Sequence, residues 1–171
     1  KTYGWNVYAN YAYLDTEERE VFASGGAQNM LFTQVQKSVG SGSKIQELNF
    51  NHPIKYLAAG GSNLGILDPA NKLKLQINGT DIADYKFADP NFSSVPLYYH
   101  TSNSSVRGSK LFFVPFCLDA AKLQPTGTLN FSRLDSARIQ STAQDFGDSI
   151  YAVNYNVLRV ENGMCGLLYS N

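Results

Sequence analysis

The chain has 171 residues, 43% of them hydrophobic and 13% aromatic, with 14 lysines and arginines balanced by 14 aspartates and glutamates. That length makes one domain, able to bury roughly 70% of its unfolded surface without help from metals or disulfides. Zero net charge offers no basic excess for a nucleic-acid groove and leaves little self-repulsion between copies, and no apolar run approaches the roughly 20 residues of a membrane helix.

In chain order, Trp5, Val7, Ala9, Tyr11 and Tyr13 alternate with Asn6, Tyr8 and Asn10, the period-two pattern of a long half-buried strand. The period then changes. Asp15 and Glu18 stand at capping-box spacing, and Gly25-Gly26 closes a short helix over 15–23. Strands are predicted at Met30–Lys37 and from Lys44 to Ala58, the second bent at His52-Pro53 because proline cannot donate to a ladder. Lys72–Ile77 alternates without fault and ends in Asn78-Gly79, a strong hairpin signal. Residues 81–108 form a long irregular span rich in proline, serine, asparagine and tyrosine, and such spans within a domain are usually functional or form interfaces. Leu111–Phe116, a strand over roughly 127–140, and Ile150–Val160 follow, then an apolar tail, Gly166-Leu167-Leu168-Tyr169. About eight strands and one short helix after the first strand predict an all-β fold, an eight-stranded antiparallel jelly-roll β-sandwich.

The chemistry-bearing residues have plain readings. Asn130, Phe131, Ser132, Arg133 and Asp135 form the densest polar run. On a strand Arg133 and Asp135 share a face and suit an ion-pair network within or between subunits; no histidine, cysteine or second carboxylate lies near enough in sequence for catalysis. His52 and His100 stand far apart, and Asp15, Glu17, Glu18 and Glu20 lack the spacing of a calcium loop. Cys117 and Cys165 have no metal-ligand spacing and read as two small buried hydrophobes. No catalytic, cofactor or metal residues are therefore assigned. Of four sequons, Asn78 is explained by its turn and Asn130 by its strand, which leaves Asn91 and Asn103 as possible glycosylation sites.

The stretch Pro125 to Ile139, PTGTLNFSRLDSARI, resembles a signature of the major capsid proteins of nucleocytoplasmic large DNA viruses, the iridovirus, chlorovirus and marseillevirus types. Four further motifs agree in order: Ala9 to Arg19, Asn51 to Lys55, Tyr98 to Thr101, and Tyr151 to Arg159 with the terminal Gly163 to Asn171. The resemblance covers nearly the whole chain. It implies a non-enzymatic structural protein whose residues 1–171 are the second, C-terminal jelly roll of a double jelly-roll subunit, the N-terminal one being absent from this sequence. It further implies homotrimeric, pseudo-hexagonal capsomers that tile an icosahedral virion shell and contact neighbouring capsomers and minor capsid proteins. Assembly in the host cytoplasm, without nucleic acid, cofactor or direct membrane insertion, also follows from it, as does a role in outer loops or subunit contacts for residues 81–108. Two other classes remain: a carbohydrate- or receptor-binding β-sandwich using the aromatic stretch Phe92 to His100, and a cupin-type enzyme, for which two separated histidines are a poor metal set.

Overall fold

The computed structural model describes residues 4–60, 68–102 and 111–170. Two antiparallel sheets face each other. The larger runs β1 (Gln28–Ser38), β10 (Ile150–Glu161), β3 (Pro53–Gly60) and β7 (Leu111–Pro115), with β11 (Met164–Leu167) added to β10 and β8 (Leu129–Asn130) to β3. The smaller runs β2 (Ile45–Glu47), β9 (Ala137–Ser141), β4 (Lys72–Ile77) and β5 (Thr80–Asp81), with β6 (Lys86–Phe87) also on β4. The all-β sandwich is as expected. Among the described residues its strands are more numerous than the eight anticipated and several are short, because turns within the polar segments cut them, while β1 and β10 run longer than expected.

The core is what period-two alternation builds. Leu73 and Leu75 on β4 and Ala137 and Ile139 on β9 point inward, against Ile54, Leu57 and Ala59 of β3, Phe112 of β7, and Ile150 and Ala152 of β10. The Asn78-Gly79 hairpin forms as read: φ is 49° and 77° at the two residues, the left-handed pair that a type I′ turn needs. Gly40 allows a close approach, since a Cβ there would lie 2.6 Å from the Phe146 carbonyl oxygen.

Several expectations change. Residues 4–15 form no strand, and each of them is exposed; nothing in the described residues offers that segment a ladder. The helix does form, as α1 (Thr16–Ser24). Asp15 accepts from the Glu18 amide at 2.9 Å and its own amide donates back to Glu18 at 3.3 Å. Because α1 buries none of its residues, the cap is its main local support. Asp15→Ala is expected to cost the helix about 1 kcal/mol, lowering far-UV helicity while leaving the global melting temperature unmoved, since α1 opens without the core.

The strand expected over 127–140 stops at Asn130, turns through a 3-10 segment at Phe131–Arg133, and resumes as β9. The Asn130 side chain accepts from the Ser132 amide at 3.1 Å, and this local bond outcompetes the ladder. The described part of the span 81–108, residues 81–102, is less irregular than expected: it holds the end of β5, β6 and two short helices, α2 (Ala88–Asn91) and α3 (Ser94–His100). Only the first half of the apolar tail, Gly166-Leu167, is strand, as the end of β11, which joins β10 through Asn162 and Gly163 at φ 51° and 77°. That is a second Asn-Gly hairpin, and the dipeptide was in the sequence to be read.

Candidate assembly surface

Within the polar run, residues 130–132 form a structural clamp. Phe131 enters the core at 3% exposure, edge-on to Phe50 at 6.1 Å and Phe116 at 5.8 Å. Ser132 accepts from the His52 amide at 2.8 Å, and the Phe131 amide donates to the His52 carbonyl at 3.1 Å. Together they pin the bend at His52, whose φ of 70° is left-handed. Among the described residues, Arg133 and Asp135 do not form the expected ion pair with each other or with a neighbouring strand. Both are exposed, and the salt bridges among the described residues are Lys74–Asp81, Lys122–Asp119 and Arg159–Glu161. The 3-10 turn takes the two residues off a common strand face.

A second clamp lies along β1 and β10. Gln36 donates to Asn154 at 3.0 Å and to the Asn51 carbonyl at 2.7 Å, and accepts from the Asn51 amide at 3.0 Å. Asn156 donates to Gln34 and to the Tyr169 carbonyl, both at 2.9 Å, and accepts from the Tyr169 amide at 3.2 Å. Asn154 and Asn156 are wholly buried, so this amide belt satisfies polar groups that water does not reach. It ties the C-terminal segment and the 51–52 bend to the central strand.

The other motifs are anchors as well. His100 Nδ1 donates to the Cys117 carbonyl at 2.8 Å, and the Ala120 amide donates to the His100 carbonyl at 2.8 Å. The segment so held covers Lys55, buried to 4% exposure, whose ammonium donates to the Lys122 carbonyl at 2.6 Å and lies 5.4 Å over the Tyr155 ring. Burial pushes the Cys117 thiol above its ordinary pKa, and likewise the Tyr56 and Tyr155 hydroxyls. A reactive cysteine needs the opposite shift. Cys117 is buried as read, whereas Cys165 is exposed, and both thiols are free. Among the described residues no three His, Cys, Asp or Glu side chains cluster as a metal site.

The aromatic stretch divides. Phe92 stacks inward on Phe112 at 6.2 Å, which withdraws it from any sugar platform. Tyr98 and Tyr99 remain outside on α3, edge to face at 5.0 Å, 54% and 72% exposed. Asn91 is exposed, but its amide donates to the Phe87 carbonyl at 3.0 Å and the serine of its sequon is buried against Asp89. Asn103 lies outside the described residues. No helix among the described residues is long and apolar enough to cross a membrane.

The arrangement is thus a stiff sandwich with clamped bends and large exposed aromatic and aliphatic groups, including Tyr98, Tyr99, Leu118, Met164 and Leu168. The profile of the family described as "Large eukaryotic DNA virus major capsid protein" matches residues 59–166. The major capsid protein of Pyramimonas orientalis virus is 35% identical over 96% of this chain and 48% of its own length. That of Paramecium bursaria Chlorella virus 1 is 30% identical over 97% of this chain and 54% of its own. The chain therefore spans about half the length of these relatives. Among solved structures, the quasi-atomic model of the PBCV-1 virus capsid superposes with a TM-score of 0.69 and 25% identity, covering 93% of this chain and 55% of that one. The Faustovirus major capsid protein, at 13% identity and a TM-score of 0.53, shares the fold.

Proposed function

The chain belongs to the major capsid protein family of large eukaryotic DNA viruses, and from that premise we propose that it is the C-terminal jelly roll of a double jelly-roll capsid subunit. Three subunits form a pseudo-hexagonal capsomer, and capsomers tile an icosahedral virion shell assembled in the host cytoplasm. The observation that carries this reading is the superposition on the PBCV-1 capsid chain over 93% of the present one. The role is mechanical, without catalysis or cofactor.

The physics suits the task. A closed threefold ring is a stable homo-oligomer, and two similar sandwiches per subunit give six similar edges around it. A sandwich whose bends are pinned by buried amides and aromatic rings resists shear. The exposed face of α3, with Tyr98 and Tyr99, and the loops around 81–108 are the contacts toward neighbouring capsomers and minor capsid proteins. Light scattering with size exclusion, and negative-stain imaging, should show trimers of hexagonal outline for the protein at the full length of its relatives. A stable monomer at micromolar concentration would sink the reading.

A further inference from the structure

Two Asn-Gly dipeptides occur in the sequence, Asn78-Gly79 and Asn162-Gly163. Each closes a two-residue hairpin, between Ile77↔Thr80 in one case and Glu161↔Met164 in the other. Their backbones match, with φ of 49° and 77° at the first and 51° and 77° at the second. A Cβ added to either glycine would meet nothing within 4 Å, so crowding does not separate the two turns. What separates them is how the asparagine side chain is held.

At the first turn the carboxamide is tied down. Asn78 Oδ1 accepts from the Asp135 amide at 2.9 Å and from the Ser136 amide at 3.3 Å, and the Asn78 amide donates to the Ser136 carbonyl at 2.8 Å. The strand leading into the turn is fixed too, since β4 pairs with β9 up to Ile77↔Ala137 and buries Leu73 and Leu75 in the core. At the second turn Asn162 and Gly163 are exposed, and among the described residues nothing hydrogen-bonds the Asn162 carboxamide. The strand leaving it, β11, is exposed throughout and pairs with β10 alone among the described strands. Such a hairpin opens without the core.

We propose that Asn162 is a site of spontaneous deamidation and that Asn78, with the same dipeptide, is protected by its clamp. The Gly163 backbone nitrogen gives its proton to solvent base and attacks Asn162 Cγ. The N–Cγ bond forms, the Cγ–Nδ2 bond breaks, and the side-chain nitrogen leaves as ammonia after taking a proton from water. The succinimide ring so closed adds water at either carbonyl and opens to aspartate or isoaspartate. One water is consumed, one ammonium is released and one carboxylate is gained; nothing is oxidised or reduced. Glycine makes the attack accessible because no side chain shields its nitrogen. The turn must open for that nitrogen to reach Cγ. At Asn78 two hydrogen bonds to the reacting carboxamide must break as well, which slows the step by roughly tenfold or more.

The product changes this end of the larger sheet. The new carboxylate stands next to Glu161, whose partner is Arg159 at 2.9 Å, and brings like charge to that pair. The isoaspartate form adds a carbon to the backbone of a turn built for two residues, so the Glu161↔Met164 pairing slackens. The reaction is independent of the capsid role.

The test uses the protein at the full length of its relatives, held at mildly alkaline pH for weeks beside a parallel sample in urea, with both peptides mapped by mass. In the folded protein the Asn162 peptide should gain aspartate and isoaspartate at least about tenfold faster than the Asn78 peptide. In urea the two rates should converge, because the clamp is gone. Asn162→Gly should remove the fast-forming acidic species on ion exchange and keep the hairpin, since glycine accepts the left-handed φ. Equal rates in the folded protein, or a faster Asn78, would overturn the inference. So would a ratio that survives in urea, which would trace the difference to flanking residues. A folded protein in which neither site reacts, while both do in urea, would overturn it as well, by showing that the intact fold shields Asn162 too.

Discussion

Phe131→Ala is expected to remove about 3–5 kcal/mol of folding stability, the usual cost of emptying a buried aromatic site. Neighbouring Arg133→Ala and Asp135→Ala should stay within about 0.5 kcal/mol, as exposed substitutions do. The difference follows from position. Phe131 is 3% exposed and meets Phe50 and Phe116 edge-on, so its removal leaves a void beside rings from two other segments. The turn that carries it also closes two hydrogen bonds onto His52, which limits how far the backbone can move to fill the gap. Arg133 and Asp135 end in solvent. Thermal melts read the contrast, with Phe131→Ala falling on the order of 10 °C for a chain of this size. Equal losses at Phe131 and Arg133 would show that the run works through charge after all.

That contrast also shows what the sequence could and could not disclose. Lys72–Ile77 was legible because its alternate residues face the core. Ile150–Val160 was legible as a strand, but the face grouped by Tyr151, Val153, Tyr155 and Val157 is not the buried one, since Ile150, Ala152, Asn154 and Asn156 are buried and Tyr155 with them. The capping box at Asp15 and Glu18 and the Asn78-Gly79 hairpin were legible because their chemistry is local. The arm at 4–15 was misread for the same reason: alternation reports what a segment wants to pair with, not whether the partner is present. The clamp at 130–132 was hidden because its partners, His52 and Phe50, lie about eighty positions away. In the amide belt, Gln34 and Gln36 are more than a hundred residues from Asn156 and Asn154. Polar residues at inward positions read as exposed until the facing strand supplies their hydrogen bonds. The recurrence of amides at alternate positions in both strands, Gln34 and Gln36 against Asn154 and Asn156, was the available signal.

Asn156→Leu tests that belt. The substitution keeps the volume and removes the polar head, so the cost isolates hydrogen bonding from packing. It leaves the Gln34 side-chain oxygen and both backbone groups of Tyr169 without their partner. A buried group left unpaired costs about 1–3 kcal/mol. Tyr169 is 40% exposed, so water recovers part of its loss, while Gln34 lies further in. The sum expected is about 2–3 kcal/mol. The effect should also be local: the Tyr169 and Leu168 amides should exchange with solvent far faster, because Asn156 is what holds the segment after β11 to the central strand, alongside the Leu168 amide bond to the Val157 carbonyl at 2.9 Å. Hydrogen exchange resolves this directly. If Asn156→Leu is neutral and Tyr169 stays protected, apolar packing holds the C-terminal segment and the belt is dispensable. If exchange rises there while β3 and β7 remain protected, the belt is the hinge-stiffener that lets the outer end of the larger sheet bear load independently of the core.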